Sequence, residues 1–252
     1  MAKVKDILDF LEITAPVGTA MDFDNVGLLV GSEDTEVSRV LLSLDITPGV
    51  VAEAADCGCQ LIVSHHPVIF GSLKTLKSGS APYLLARHGI DAVCMHTNLD
   101  LAEEFGVNTC LAEAVGVKNL RKSALGECLF IGELEEAVSP ADFARIVKDA
   151  LSCEGLRYTD AGRPIKTVAV SSGSGGSEIV AAAAEHADAL VTGEIKHHDI
   201  NAANEAGVSV VEAGHFKSED VVILPLKERL EKAFPDIVFT KSKTYGDKVK
   251  FL

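Results

Sequence analysis

Residues 40–64, V-L-L-S-L-D-I-T-P-G-V-V-A-E-A-A-D-C-G-C-Q-L-I-V-S, align without a gap with residues 168–192, V-A-V-S-S-G-S-G-G-S-E-I-V-A-A-A-A-E-H-A-D-A-L-V-T. Each stretch has the pattern of a buried strand, a turn with glycine, an alanine-rich helix and a second strand ending in Ser or Thr. Apolar strands that alternate with helices favour mostly parallel sheets covered by helices. The sequence therefore predicts an α/β protein of two similar domains that arose from an internal repeat.

The boundary between the predicted domains lies near Gly126, where the segment C-L-F-I-G-E-L begins a new strand. The S-P-A-D sequence at 139–142 then begins a helix, with a hydroxyl at the N-cap, proline in the first turn and a capping-box acid. We therefore expect a first α/β domain at residues 1–125 and a second at residues 126–252.

Composition and charge argue against two classes of partner. A net charge of −14 disfavours nucleic acid held through its phosphates. No stretch approaches about 18 consecutive apolar residues, so no membrane span is predicted. The six cysteines form no C-x-x-C pair, and several lie in apolar runs, as reduced core residues of cytosolic proteins do. We expect a cytoplasmic protein that binds neither membrane nor nucleic acid.

Histidines follow several of the predicted strands. His65 and His66 follow Q-L-I-V-S, His96 follows A-V-C-M, and His215 follows V-V-E-A-G. In open α/β sheets, ligands bind at the carboxyl ends of the strands, so these histidines lie where sites form. The alternative is that the histidines merely cap the strands as satisfied polar residues.

Two of these histidines are followed four residues later by a carboxylate, in H-T-N-L-D (His96 to Asp100) and H-F-K-S-E (His215 to Glu219). Imidazole and carboxylate together suit zinc, iron or manganese. Adjacent residues that leave a strand point in different directions, so the pair at 65–66 could face two separate ions. The pattern predicts two metals, with a carboxylate such as Glu219 or Asp100 bridging them.

Two further motifs have more than one interpretation. In G-E-I-K-H-H-D at 193–199, Glu194, His197 and His198 could be ligands, acid/base groups, partners that orient ligands, or ordinary surface residues. The segment S-S-G-S-G-G at 171–176 resembles a phosphate-binding nest before a helix. It lacks the Walker lysine, however, and the internal repeat predicts an ordinary turn there.

In combination, these motifs resemble a known family. S-H-H-P, H-T-N-L-D, G-E-I-K-H-H-D and H-F-K-S-E, with D-N-V-G-L-L-V-G at 24–31, look like the GTP cyclohydrolase I type 2 homologues, also called Nif-three-like proteins. The order and spacing cover nearly the whole chain, and the length resembles the short bacterial form. The resemblance implies a two-domain α/β subunit, a dinuclear metal centre and a toroidal homohexamer whose sites face an inner cavity. Phe23 departs from the family, which often has tryptophan there; since both residues are large and apolar, we expect altered packing and an intact site.

The resemblance also implies site residues. His96 and His198 would lie beside the metals, and Glu219 would bridge the two ions. If the protein is an enzyme, His96 or His198 would transfer the proton. Because the ligands come from both halves of the chain, the site is expected at the domain junction. The ligand set accepts Zn, Fe, Mn or Ni, so the identity of the two divalent ions stays open. Carried over by motif, the metal ligands are His65, His66, Asp100, His215 and Glu219.

Three functional classes fit such a site. In an enzyme, paired metals lower the pKa of bound water from ~15.7 to about 7 and create a hydroxide nucleophile. The substrate would be a small nucleotide-like or heterocyclic molecule, GTP in the cyclohydrolase version. The alternatives are a non-catalytic metal carrier or insertion factor, and a regulatory interaction protein with structural metals. Five ligands shared by two ions leave open coordination positions, which favours a metal-dependent hydrolase.

Overall fold

The computed structural model describes residues 2–252, and the strands of this range form two sheets. The strands are β1 (Gly27–Val30), β2 (Arg39–Ser43), β3 (Leu61–Ser64), β4 (Asp91–Cys94), β5 (Lys118–Lys122), β6 (Phe130–Val138), β7 (Arg157–Tyr158), β8 (Ile165–Ser171), β9 (Ala189–Thr192), β10 (Ser209–Glu212) and β11 (Val238–Lys241).

Helices separate most of these strands. They are α1 (Val4–Thr14), α2 (Pro48–Asp56), α3 (Ala81–His88), α4 (Thr97–Asp100), α5 (Val107–Ala114), α6 (Pro140–Ala150), α7 (Ile179–Ala184), α8 (His197–Glu205), α9 (His215–Glu219) and α10 (Ile223–Ala233). Short 3₁₀ turns occur at Val17–Thr19, Gly176–Glu178 and Asp220–Val222. Within residues 2–252, no helix has both the length and the apolar character needed to cross a bilayer.

The chain divides into two compact units. The first unit contains the chain up to Ala102 together with Ile223–Gly246, and the second contains Glu103–Val222 and Asp247–Leu252. This division differs from the predicted boundary at 125/126. Strand β5 pairs with β6, so it belongs to the second sheet, and β11 pairs in parallel with β2, which returns the segment after α10 to the first unit.

The sheet of the first unit has the strand order β1-β4-β3-β2-β11. All its pairings are parallel except that of β1 with β4. Every residue of β3 and β4 is buried, as expected for strands covered on both faces. On one face, Leu41 and Ile62 pack in a cluster with Val50 of α2 and Leu85 of α3.

The sheet of the second unit has the strand order β5-β6-β8-β9-β10-β7. Parallel pairing is confined to the centre, β8-β9-β10, and strands β5, β6 and β7 pair antiparallel. One core cluster contains Phe143 and Val147 of α6, and another contains Ile179 and Ala182 of α7 with Ala203 of α8. The helices therefore bury the parallel strands of this unit as the sequence predicted.

The centres of the two sheets have the same topology, strand–helix–strand–helix–strand with the strands in sequential order. Val40 pairs with Leu61 in the first sheet, and Val168 pairs with Ala189 in the second. These pairs are the counterparts given by the gapless alignment, so the two copies share one strand register. The parallel strands of each sheet end at a common edge, and the candidate site residues follow there.

Candidate metal centre

Three imidazoles converge at the strand edge of the first unit. His65 and His66 directly follow β3, and His96 lies two residues after β4. One ring nitrogen from each of the three lies within 4.8 Å of the others. The ring centroid of His65 is 5.0 Å from that of His66 and 5.2 Å from that of His96. Three imidazoles this close repel one another when protonated, whereas neutral rings form a donor set for a cation.

Oxygen acceptors fix the orientation of the two adjacent histidines. The Nδ1 atom of His65 lies 2.9 Å from the Met95 carbonyl oxygen, and the Nδ1 atom of His66 lies 3.0 Å from Asp45 Oδ2. Carbonyl and ionised carboxylate oxygens only accept hydrogen bonds, so each Nδ1 carries the proton. In the neutral ring, the lone pair is then on Nε2. Metal-binding histidines characteristically donate their second ring N–H in this way.

His96 is held by a carboxylate from a distant part of the sequence. Its Nδ1 atom lies 2.9 Å from Asp24 Oδ1, and Asp24 Oδ2 also accepts hydrogen bonds from the Thr97 N–H and hydroxyl, at 3.0 and 2.6 Å. Burial acts to raise the pKa of Asp24, but the hydrogen bonds from Thr97 and His96 outweigh burial and lower that pKa. Asp24 therefore stays ionised and fixes the ring of His96 in one orientation.

Asp100 faces the first of these histidines. It is the last residue of α4, its side chain is mostly buried, and its Oδ1 lies 3.5 Å from His65 Nε2. With the lone pair on Nε2, the two atoms are both electron-pair donors, and they attract only through a proton or a cation between them. This geometry fits a shared cation. We refer to His65, His66, His96 and Asp100 as the first cluster.

The second unit contains another imidazole–carboxylate group, which we call the second cluster. His215 and Glu219 lie at positions i and i+4 of α9, on one face of the helix, with His215 Nε2 3.1 Å from Glu219 Oε2. On the other side of the ring, His215 Nδ1 lies 3.2 Å from Glu194 Oε1. Of the interpretations left open for Glu194, this contact favours a partner that orients His215.

The glycine-rich turn after β8 leaves room for this second cluster. A Cβ atom at Gly173 would lie 2.3 Å from Glu219 Oε1, a distance that real Cβ contacts do not reach. The N–H groups of Gly173 and Gly175 already donate to the hydroxyls of Ser218 and Thr192, both at 3.0 Å. These bonds remove two donors from the proposed phosphate nest, so the turn is explained by close packing against Glu219.

Within the described part of the chain, His198 belongs to neither of the two clusters. It occupies the first turn of α8, its side chain is 77% exposed, and its Nε2 lies 3.3 Å from Asp199 Oδ1. His197 is likewise exposed on this turn. The structure brings together His65, His66, His96 and Asp100 in one unit, and His215 with Glu219 in the other. The role of His198 stays a prediction.

Sequence reasoning missed two carboxylates that orient the histidines. Asp45 follows β2 at the same edge as His66, so the rule that sites form at strand ends would have found it. Asp24 lies in the D-N-V-G motif, but its contact with His96 joins residues 72 positions apart. Nothing in the local spacing reveals that contact.

The sequence of the chain matches Duf34/NIF3 (NGG1p interacting factor 3) over residues 2–246. The chain belongs to the Duf34/NIF3 family. The motif resemblance noted from the sequence is thereby confirmed.

Several known proteins resemble this chain over nearly its whole length. A Clostridium perfringens protein named GTP cyclohydrolase 1 type 2 homolog is 32% identical over 262 residues, covering 99% of this chain and 100% of the relative. The crystal structure of a Staphylococcus aureus hypothetical protein superposes with a TM-score of 0.92 at 30% identity, covering 100% of this chain and 99% of the other. Reduced HcgD from Methanocaldococcus jannaschii gives a TM-score of 0.83 at 28% identity, with 96% and 98% coverage. The fold of these solved structures therefore extends over nearly the whole chain.

Proposed function

We propose that this protein is a metal-dependent hydrolase with a dinuclear centre, acting on a nucleotide-like or heterocyclic small molecule. The observation that carries the proposal is shared by both clusters. Each of four histidines, His65, His66, His96 and His215, has its Nδ1 atom within 3.2 Å of an oxygen acceptor, which leaves the Nε2 lone pair to bind a cation or, in His96, to accept a proton.

The donor atoms fit divalent transition metals. Imidazole nitrogen and carboxylate oxygen suit Zn, Fe, Mn or Ni, and the buried Glu219 and Asp100 would balance the charge of the ions. Two such ions, when bound, would supply a nucleophile by acidifying a water molecule. We propose that the ligands are those implied by the family motifs, with Glu219 bridging: His65, His66, Asp100, His215 and Glu219.

His96 is our candidate for proton transfer. Its ring is mostly buried and is held by Asp24, whose carboxylate would stabilise the imidazolium that forms when Nε2 accepts a proton. The same residue could then return the proton to a leaving group. His198, exposed on α8, is proposed as a second acid/base group that acts from the solvent side.

We also propose a cytoplasmic homohexamer that acts on a small molecule and does not bind nucleic acid. The assembly comes from the family resemblance, and the net charge of −14 supports the last point. Analytical ultracentrifugation at micromolar concentration is the test, and a monomer there would contradict the hexamer.

The test of function is a screen of nucleotides with metal-replete protein. GTP comes first, because a relative is named GTP cyclohydrolase 1 type 2 homolog. We expect turnover that disappears on metal removal and falls by about 10²- to 10⁴-fold in His96→Ala, with metal content retained. His88→Ala, an exposed histidine on α3, is the matched control and should behave as the wild type.

Three outcomes of the screen separate the functional classes. Turnover that survives metal removal would contradict the hydrolase mechanism. Loss of metal in His96→Ala would make His96 a ligand instead of a proton carrier. Full metal content without turnover on any compound would favour the metal carrier.

A further inference from the structure

Two exposed phenylalanines lie beside the first cluster. The ring centroid of Phe70 is 6.3 Å from that of His96 and 6.2 Å from that of Phe23. Phe70 is 54% exposed and Phe23 is 61% exposed. Aromatic side chains that stay in water add no hydrophobic free energy to the stability of the fold. Clusters of exposed apolar side chains often mark binding sites.

Both phenylalanines are attached to anchored backbone. Asp24, the neighbour of Phe23, is held on α4 by the hydrogen bonds that also fix His96. The side chain of Asn25 donates to the carbonyl oxygen of Ile69, immediately before Phe70, at 2.6 Å. The two segments are therefore tied together next to the histidines, and preorganised rings lose little conformational entropy when they bind a ligand.

We propose that Phe23 and Phe70 stack on the base of a purine nucleotide and thereby hold it against His96. This inference rests on the proposed function and specifies its substrate class. Aromatic side chains bind planar bases through their π-faces, and a bicyclic base is wide enough to contact two neighbouring rings. Because the planes of the two rings are inclined at 46°, a base that stacks on the face of one ring meets the other at an angle. With a net charge of −14, attraction for the phosphates would have to come from the proposed divalent ions, and the two rings would supply the recognition of the base.

The absence of tryptophan from the chain makes this proposal directly measurable. Phe23→Trp introduces a single fluorophore at the stacking position. We expect saturable quenching when metal-replete Phe23→Trp is titrated with guanosine monophosphate, and none with ribose 5-phosphate. Adding Phe70→Ala should weaken binding by about 10- to 100-fold. Adding Leu76→Ala, 52% exposed on the same β3–α3 loop, should leave binding unchanged.

Several results would overturn the stacking proposal: no quenching by guanosine monophosphate, equal quenching by ribose 5-phosphate, or no effect of Phe70→Ala. A tryptophan emission that shifts with protein concentration in the absence of nucleotide would also overturn it. Such a shift would mean that a second copy of the chain covers the ring at position 23. If Phe23→Trp fails to fold, Phe70→Trp combined with Phe23→Ala provides the same measurement. Metal content measured in the same samples tests the proposed function separately, so the two failures are distinguishable.

Discussion

The two copies of the repeat carry different side chains at equivalent strand ends. The first copy has His65 and His66 after β3, where the aligned residues after β9 are Gly193 and Glu194. In the first unit, an imidazole at the strand end contacts a carboxylate, and in the second, the strand-end carboxylate contacts the imidazole of His215. The imidazole–carboxylate contact is thus present in both copies, although the positions are exchanged. The fold determines where such groups meet, and either residue type can occupy the strand end.

The two copies also differ in the residue that follows their first strand. Asp45 after β2 aligns with Gly173 after β8. Asp45 lies against His66, whereas Gly173 leaves space that the carboxylate of Glu219 fills. In the second copy, the space next to this position is therefore filled by the Glu219 carboxylate of α9, in addition to the strand-end Glu194, and the glycine is what permits it.

Among the variants proposed to test this comparison of the two copies, Gly173→Ala should have the largest effect on metal affinity. Its Cβ would collide with Glu219, so we expect metal affinity at the second cluster to fall by more than the roughly 10- to 100-fold typical of outer-shell changes. Gly162→Ala is the matched control, because Gly162 also has a positive φ, +78°, but an added Cβ meets nothing within 4 Å. Both variants should lose about 1 kcal/mol of unfolding free energy from backbone strain, measured by denaturant titration. Equal metal affinity in the two would contradict the role of Gly173.

Asp45→Ala and Glu194→Ala test the exchanged imidazole–carboxylate contacts. Each removes the acceptor of a histidine Nδ1, so metal affinity should fall by about 10- to 100-fold in competition titrations. Asp45→Asn and Glu194→Gln keep an acceptor oxygen and should lose less. Wild-type affinity in both alanine variants would show that these carboxylates do not orient the histidines.

The elements and contacts that depend on local sequence could be predicted. Ser139 caps α6 by accepting a hydrogen bond at 3.1 Å from the N–H of Asp142, three residues away. The internal repeat is likewise visible in the order of apolar strands and helical segments. The domain boundary could not be predicted in this way. It depends on the pairing of β2 with β11, two strands that are separated by most of the sequence. Tertiary packing, and not local sequence, decides such pairing. The contact of Asp24 with His96 escaped prediction for the same reason.

Glu185→Gln should have a smaller effect, on stability alone. Glu185, directly after α7, accepts hydrogen bonds from Arg121, Ser123 and the Ala124 N–H, and its pKa is lowered to about 2, chiefly by Arg121. We expect the variant to lose about 1 kcal/mol at pH 7, because Arg121 is largely exposed. A lowered pKa stabilises the protein fully above the unfolded pKa of about 4.3, so the difference from the wild type should narrow as the pH falls toward 2.

Glu53 on α2 is a carboxylate of the first unit that, like Glu185, accepts several hydrogen bonds, although the two are not aligned in the repeat. It accepts from Ser242 and from the N–H groups of Lys243 and Thr244. Burial acts to raise its pKa, but these hydrogen bonds outweigh burial and lower it. Since no arginine takes part in these bonds, Glu53→Gln should cost less than Glu185→Gln in thermal denaturation. A larger loss in Glu53→Gln, or none in either variant, would contradict this comparison.

The most direct test of the proposed metal centre is elemental analysis of the purified protein and its histidine variants. We predict close to two transition-metal equivalents per subunit in the wild type, a reduced content in His65→Ala and in His215→Ala, and essentially none when the two are combined. His88→Ala should match the wild type. Unchanged metal content in the combined variant would contradict the assignment of the two clusters as a dinuclear metal centre.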